Sequence, residues 1–205
     1  MERARGEYEG PSVGRPGAPG LLFSLRHVGE ARVPPKVLYV VAPERFRDEE
    51  LLEPKRLLEA GGATVTVAST RPGTASGMLG ARVAVACTVQ QADAAAYDAL
   101  VLAGGAGAPL HLWDSEPLRA LARALHGAGR TIGAICLSPP VLARAGLLAG
   151  KRATTFPADR AILELKHGGA IYVRDPVVQD GTIVTASGPE AATAFGETLT
   201  RLLTS

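Results

Sequence analysis

The chain has 205 residues, 46% of them hydrophobic and 20% charged, a length that suits one main domain and a composition too apolar for a disordered chain. With a net charge of +2 and only 4% aromatic residues, it lacks both the field that gathers a polyanion and the rings of a base-stacking platform, so nucleic acid is not an expected partner. Four histidines lie scattered, two cysteines (Cys87 and Cys136) stand far apart with no Cys-x-x-Cys, and no apolar run approaches a membrane span, which argues against a disulfide scaffold, a metal centre and a membrane protein. A cytoplasmic protein with no metal, no cofactor and no membrane partner is expected.

Residues 1–35 contain six glycines, five prolines and five arginines without sustained periodicity, and they predict a flexible leader ending at Pro34-Pro35. From Lys36 onward, short apolar runs alternate with longer segments of helical period. Strands are predicted at 37–41, 64–68, 99–103, 131–135, 171–173 continuing to 177–178, and 183–185; most are continuous apolar runs, as strands buried on both faces must be. Helices are predicted at 48–60, 116–125, 139–148 and 189–203. Leu118, Leu121, Ala122 and Leu125 form one apolar stripe, Phe195, Leu199 and Leu202 another. The stretch 73–89, with alternation at Val83, Val85 and Cys87, predicts a small antiparallel excursion. Right-handed crossovers then make an α/β domain over 36–205, a doubly wound, mostly parallel sheet sandwiched by helices in a flavodoxin-like three-layer arrangement, with ligands beyond the carboxyl ends of its strands.

One segment carries most of the chemical information. In Thr131-Ile-Gly-Ala-Ile-Cys136-Leu-Ser-Pro-Pro140, a buried strand stops at a cysteine and a proline-started helix follows, the layout of a nucleophile elbow. A turn there lifts the sulfur toward the strand ends, and a helix start aims amides and a positive dipole end at it, which favours thiolate. The same spacing also suits a small buried core cysteine.

Six motifs taken in order resemble the ThiJ/PfpI superfamily across 36–205. They are Lys36–Val41, Phe46-Arg-Asp-Glu-Glu50-Leu-Leu-Glu-Pro54, Tyr97–Gly105, the elbow Ala134–Pro139, Ala145–Pro157 and Gly181–Pro189. The resemblance implies that Cys136 is the functional residue and that a glutamate four residues before Pro54 sits against its sulfur. That glutamate is Glu50, with Glu49 as the neighbouring register. A carboxyl shielded beside sulfur should have a raised pKa and share a proton with it. The resemblance further implies an oxyanion-binding loop at Gly104 and Gly105, with the Leu137 amide as second donor, and a homodimer.

Two family histidines are missing. The peptidase-like branch has histidine after the nucleophile, where this chain has Leu137, and the deglycase-like branch has one after Ala-Thr-Thr, where it has Phe156. Leucine cannot relay a proton, so peptidase chemistry ranks last. Glu116 matches the interfacial acid of the peptidase branch but also suits an ordinary helix start, and His111 follows Gly105 by a loop short enough to reach the site. The expectation is a glyoxalase- or deglycase-type stress protein acting on a small carbonyl compound through Cys136 with Glu50 as proton carrier. The alternative is a redox sensor or chaperone whose partner is an oxidant of Cys136.

Overall fold

The computed structural model describes residues Val33–Ser205, one of two units into which the chain divides. The expected leader therefore lies, except for its last three residues, outside the described residues. The opening strand β1 (Lys36–Val41) is followed by β2 (Glu44–Phe46), α1 (Asp48–Ala60), β3 (Thr64–Ser69), β4 (Gly73–Gly77), β5 (Arg82–Val85) and β6 (Cys87–Thr88). Next come β7 (Ala99–Leu102), a short α2 (Ala108–His111), α3 (Glu116–Gly127), β8 (Thr131–Ile135) and α4 (Pro139–Arg144). The chain closes with β9 (Arg152–Ala153), α5 (Asp159–His167), β10 (Ile171–Tyr172), β11 (Val177–Asp180), β12 (Ile183–Ala186) and α6 (Ala192–Thr204).

Seven strands form the main sheet in the order β11-β12-β8-β7-β1-β3-β6. All neighbours pair in parallel except β11, which runs antiparallel to β12 at one edge. Strands buried on both faces explain the continuous apolar runs: within β1, Leu38 and Val40 pack toward α3 and its stripe of Leu118, Leu121, Ala122 and Leu125, while Val37, Tyr39 and Val41 pack toward Leu51, Leu58, Phe195 and Leu199 of α1 and α6. The two helical layers are thus set by the alternation of side chains along one strand. At Gly196 a Cβ would lie 2.8 Å from both Pro54 Cα and Leu57 Cδ1, so the absence of a side chain sets how closely α6 approaches α1. From β1 the chain winds outward to β3, then returns to β7 on the other side of β1; strand order reverses there, which puts the crevice of this doubly wound sheet beyond the ends of β1, β7 and β8.

Four details differ from the sequence expectation. The excursion at 73–89 is real only over β4 and β5, which pair antiparallel and take β2 as a third strand; Cys87 lies instead on β6, paired in parallel with Ala68 at the edge of the main sheet. The run expected at 171–173 with 177–178 divides between two sheets, because β10 pairs with β9 and β11 with β12, with Pro176 between them, where a missing N–H interrupts a ladder. The helix expected over 139–148 stops at Arg144, shortly before Gly146 turns left-handed at φ 77°. Helix α5, which was not expected, is short and buries two positions, Ala161 and Leu165. Among the described residues no helix is long and apolar enough to cross a membrane.

Candidate active site

Strand β8 is buried throughout, and the residue after it, Cys136, adopts φ 61°. Left-handed backbone costs a residue with a Cβ on the order of 1–3 kcal/mol, so surrounding contacts must hold it. They do so from several sides. The Cys136 amide donates to Ala186 O at the end of β12 (2.9 Å), and the Cys136 carbonyl accepts from Phe156 N (2.9 Å) and Thr155 Oγ1 (2.7 Å). Beyond it, Ser138 Oγ donates to Ala103 O (2.6 Å) and Trp113 Nε1 to Leu137 O (2.6 Å). The sharp strand-to-helix turn predicted at this position is present.

Facing the cysteine is Glu50, in the first turn of α1. Its side chain is 0% exposed, and its Oε2 accepts from Gly104 N at 2.9 Å. Gly104 O in turn accepts from Arg47 N at 3.1 Å, so the loop after β7 is stitched to the start of α1. A Cβ on Gly104 would lie 2.7 Å from each of Cys136 Cβ, Glu50 Oε2 and Ile135 O, which shows how tightly acid and cysteine close over this glycine. Gly105, at φ 98°, would bring a Cβ within 2.3 Å of Arg47 N. The neighbouring register is settled by the same geometry: Glu49 turns outward to pair with Arg47 (2.8 Å).

Glu50 Oε1 is buried with no hydrogen-bond partner among the described residues, and the Cys136 thiol is the ionisable group packed beside this carboxyl. Burial raises the Glu50 carboxyl from its ordinary value to about 7, although the sulfur, the Gly104 amide and Arg47 oppose the rise. Burial also pushes the Cys136 thiol up, and the negative charge of Glu50 pushes it further; the amides of Gly105 and Leu137 pull the other way. Two acids in contact out of water resist double ionisation, so above about pH 7, where Glu50 has lost its proton, the pair still keeps one. This corrects the expectation of a free thiolate. The physical reason is burial first and the neighbouring Glu50 charge second; α4 does not oppose them, since Pro139 and Pro140 carry no N–H and Ser138 N is taken by Ile135 O (3.0 Å).

The predicted oxyanion loop is corrected at Gly104 alone. The Gly104 amide is committed to Glu50, and the donors beside the sulfur belong to Gly105 and Leu137. Cys136 is 5% exposed and lines, with Glu50, a cavity of about 220 Å3. Sequence reasoning missed Arg47 and Met78 in its wall, because Met78 arrives from the β4–β5 turn, a placement no local pattern encodes. Phe156 also lines the cavity, where the deglycase-like branch was expected to carry histidine. Among the described residues no histidine lines it; His111 Nε2 instead lies 3.1 Å from Glu44 Oε1. Glu116 pairs with Arg119 (2.8 Å) and Arg123 on its own helix. No three metal-binding side chains come together among the described residues.

A doubly wound sheet with a strained cysteine at the end of a central strand and a buried glutamate against it defines a class of thiol-bearing α/β proteins. The chain belongs to the DJ-1/PfpI family, whose model matches residues 35–202. It is 47% identical over 161 residues to the uncharacterized protein MJ0967 of Methanocaldococcus jannaschii, with 78% of each chain covered. It is 33% identical to the deglycase PH1704 of Pyrococcus horikoshii, covering 82% of this chain and 99% of the relative. Among solved structures, a ThiJ/PfpI domain protein from Brachyspira murdochii superposes with a TM-score of 0.78 at 32% identity, covering 82% of this chain and 95% of that one.

Proposed function

We propose that the protein is a cytoplasmic deglycase- or glyoxalase-type enzyme that attacks reactive carbonyl compounds through Cys136, with Glu50 as proton carrier. The observation that carries this reading is the buried Glu50 carboxyl, held by Gly104 through one oxygen, unpartnered at the other, and packed beside Cys136 on the wall of the same cavity. The deglycase name of a relative matched over 82% of this chain is consistent with it. In the proposed reaction sulfur adds to the aldehyde carbon of a 2-oxoaldehyde, and the carbonyl electron pair moves to oxygen, which the Gly105 and Leu137 amides stabilise. Glu50 accepts the thiol proton and passes it to that oxygen, then moves a proton between the two carbons to leave a 2-hydroxyacyl thioester, which water hydrolyses to the hydroxy acid and free thiol. Conversion of methylglyoxal to lactate by wild type, and its loss in Cys136→Ser, is the expected result; equal rates in the two proteins would remove the reading.

The lack of a histidine on the cavity lining among the described residues supports a second reading, in which Cys136 is an oxidisable sensor. Mild peroxide should then add oxygen to Cys136 before Cys87, with no carbonyl turnover in the same preparation; the reverse order of oxidation counts against it. A homodimer is part of the proposal in either case, and sedimentation as a single chain at micromolar concentration would contradict it.

A further inference from the structure

Beside the thiol cavity lies a second, larger cleft of about 560 Å3, and Phe156 belongs to the walls of both. Its lining is polar in a particular way. Three hydroxyl-bearing residues, Thr154, Tyr172 and Ser187, line it together with Arg174. Thr154 is 1% exposed, yet its hydroxyl has no hydrogen-bond partner, and an orphaned buried hydroxyl in a native fold marks a place where something else completes the bonding. Arg174 forms no ion pair with any described residue, whereas its neighbour Asp175 is paired with Arg152 at 3.1 Å and Asp180 accepts from Arg152 N at 3.0 Å. Asp175 and Asp180 are therefore already engaged and do not neutralise Arg174.

We infer that this cleft is a subsite for an anionic group, a carboxylate or a phosphate monoester, on the molecule whose carbonyl reaches Cys136, with Arg174 as counter-charge and Thr154 Oγ1 as hydroxyl donor. The inference rests on the carbonyl chemistry proposed above and names its substrate class: aldehydes and 2-oxoaldehydes that carry an oxyanion a few bonds from the carbonyl. A guanidinium flanked by hydroxyls suits an oxyanion because every group offers a proton and the guanidinium adds charge. Glu190, the carboxylate on the same lining, is exposed. It opposes an anion weakly, since water and salt screen it. The binding step is an addition in balance: sulfur bonds to the aldehyde carbon, the carbonyl oxygen takes the thiol proton by way of Glu50, and release reverses both.

The test uses the full chain and reads occupancy rather than turnover. Iodoacetamide alkylation of Cys136 is followed in the presence of 4-oxobutanoate, its neutral methyl ester, or 3-oxopropyl phosphate, and the half-protecting concentrations are compared. In wild type the charged aldehydes should protect at about three- to tenfold lower concentration than the ester, as one partly exposed, hydroxyl-assisted ion pair provides. That ratio should fall to about one in Arg174→Gln, survive in part in Arg174→Lys, and widen in Glu190→Gln. The stronger of the two anionic probes assigns carboxylate or phosphate. A wild-type ratio near one, or a ratio untouched by Arg174→Gln, overturns the anion subsite while leaving the carbonyl reading in place. A narrowed ratio in Glu190→Gln would mean that the cleft takes a zwitterion and overturns it too. Failure of every aldehyde, the ester included, to slow alkylation would sink the carbonyl reading, and this inference with it.

Discussion

The Tyr39 hydroxyl donates to the Glu50 carbonyl at 2.6 Å, and the acceptor is available because Pro54, four residues further along α1, has no N–H to offer it. A proline inside a helix normally costs a hydrogen bond; here a buried tyrosine from the adjacent central strand supplies the missing donor. The backbone of Glu50 is thereby fixed to β1 while its carboxyl is fixed by Gly104. Burial raises the Tyr39 phenol well above its ordinary value, so it remains a donor at any working pH.

Tyr39→Phe keeps the packing and removes that donor. Leaving a buried carbonyl unsatisfied costs about 1–3 kcal/mol, so the urea midpoint should fall with an unchanged slope. An unchanged midpoint would show that the bond contributes nothing net.

Gly104→Ala places a methyl 2.7 Å from Cys136 Cβ, Glu50 Oε2 and Ile135 O at once, with two of the three obstacles in or beside the site. Overpacking of this kind costs about 1–3 kcal/mol. Glu50 must withdraw from the amide, and Cys136 alkylation should change its pH profile; retention of the wild-type profile would contradict the close packing described here.

The Glu50 carboxyl holds its proton in the folded chain up to about pH 7, against about 4.3 when unfolded. Between those values the folded state binds more protons, so stability falls as pH rises through the window, by on the order of 3 kcal/mol, and is level above it. The Cys136 thiol, itself pushed up, stays protonated there and does not offset the trend. Glu50→Gln should abolish the slope in denaturant titrations from pH 4.5 to 7, and identical slopes in the two proteins would refute the assignment.

Thr155→Val removes one of the two donors on the Cys136 carbonyl, leaving Phe156 N at 2.9 Å. Because that carbonyl shares a rigid peptide unit with the Leu137 amide beside the sulfur, the loss should loosen the amide as well as cost about 1 kcal/mol. A slower alkylation of Cys136 with a modest stability loss is expected; a stability loss alone would make Thr155 purely structural.

Much of the architecture is legible in the residue pattern because burial writes itself into periodicity. Helix α1 spans Asp48–Ala60 as predicted, and β8 ends at Ile135 immediately before the cysteine. Helix α5 and the split between β10 and β11 were not legible, since one buries few side chains and the other turns on which partner strand each half meets.

By itself the sequence determined the doubly wound sheet and the position of a cysteine at the end of a buried strand, because alternation, apolar runs and prolines act over a few neighbouring residues. Tertiary structure alone decided that Glu50 rather than Glu49 meets the sulfur, that the Gly104 amide serves this carboxyl, and that Met78 and Arg47 close the cavity. Those outcomes depend on distances between segments far apart in the chain and on how burial shifts a shared proton, quantities that exist only once the layers have packed.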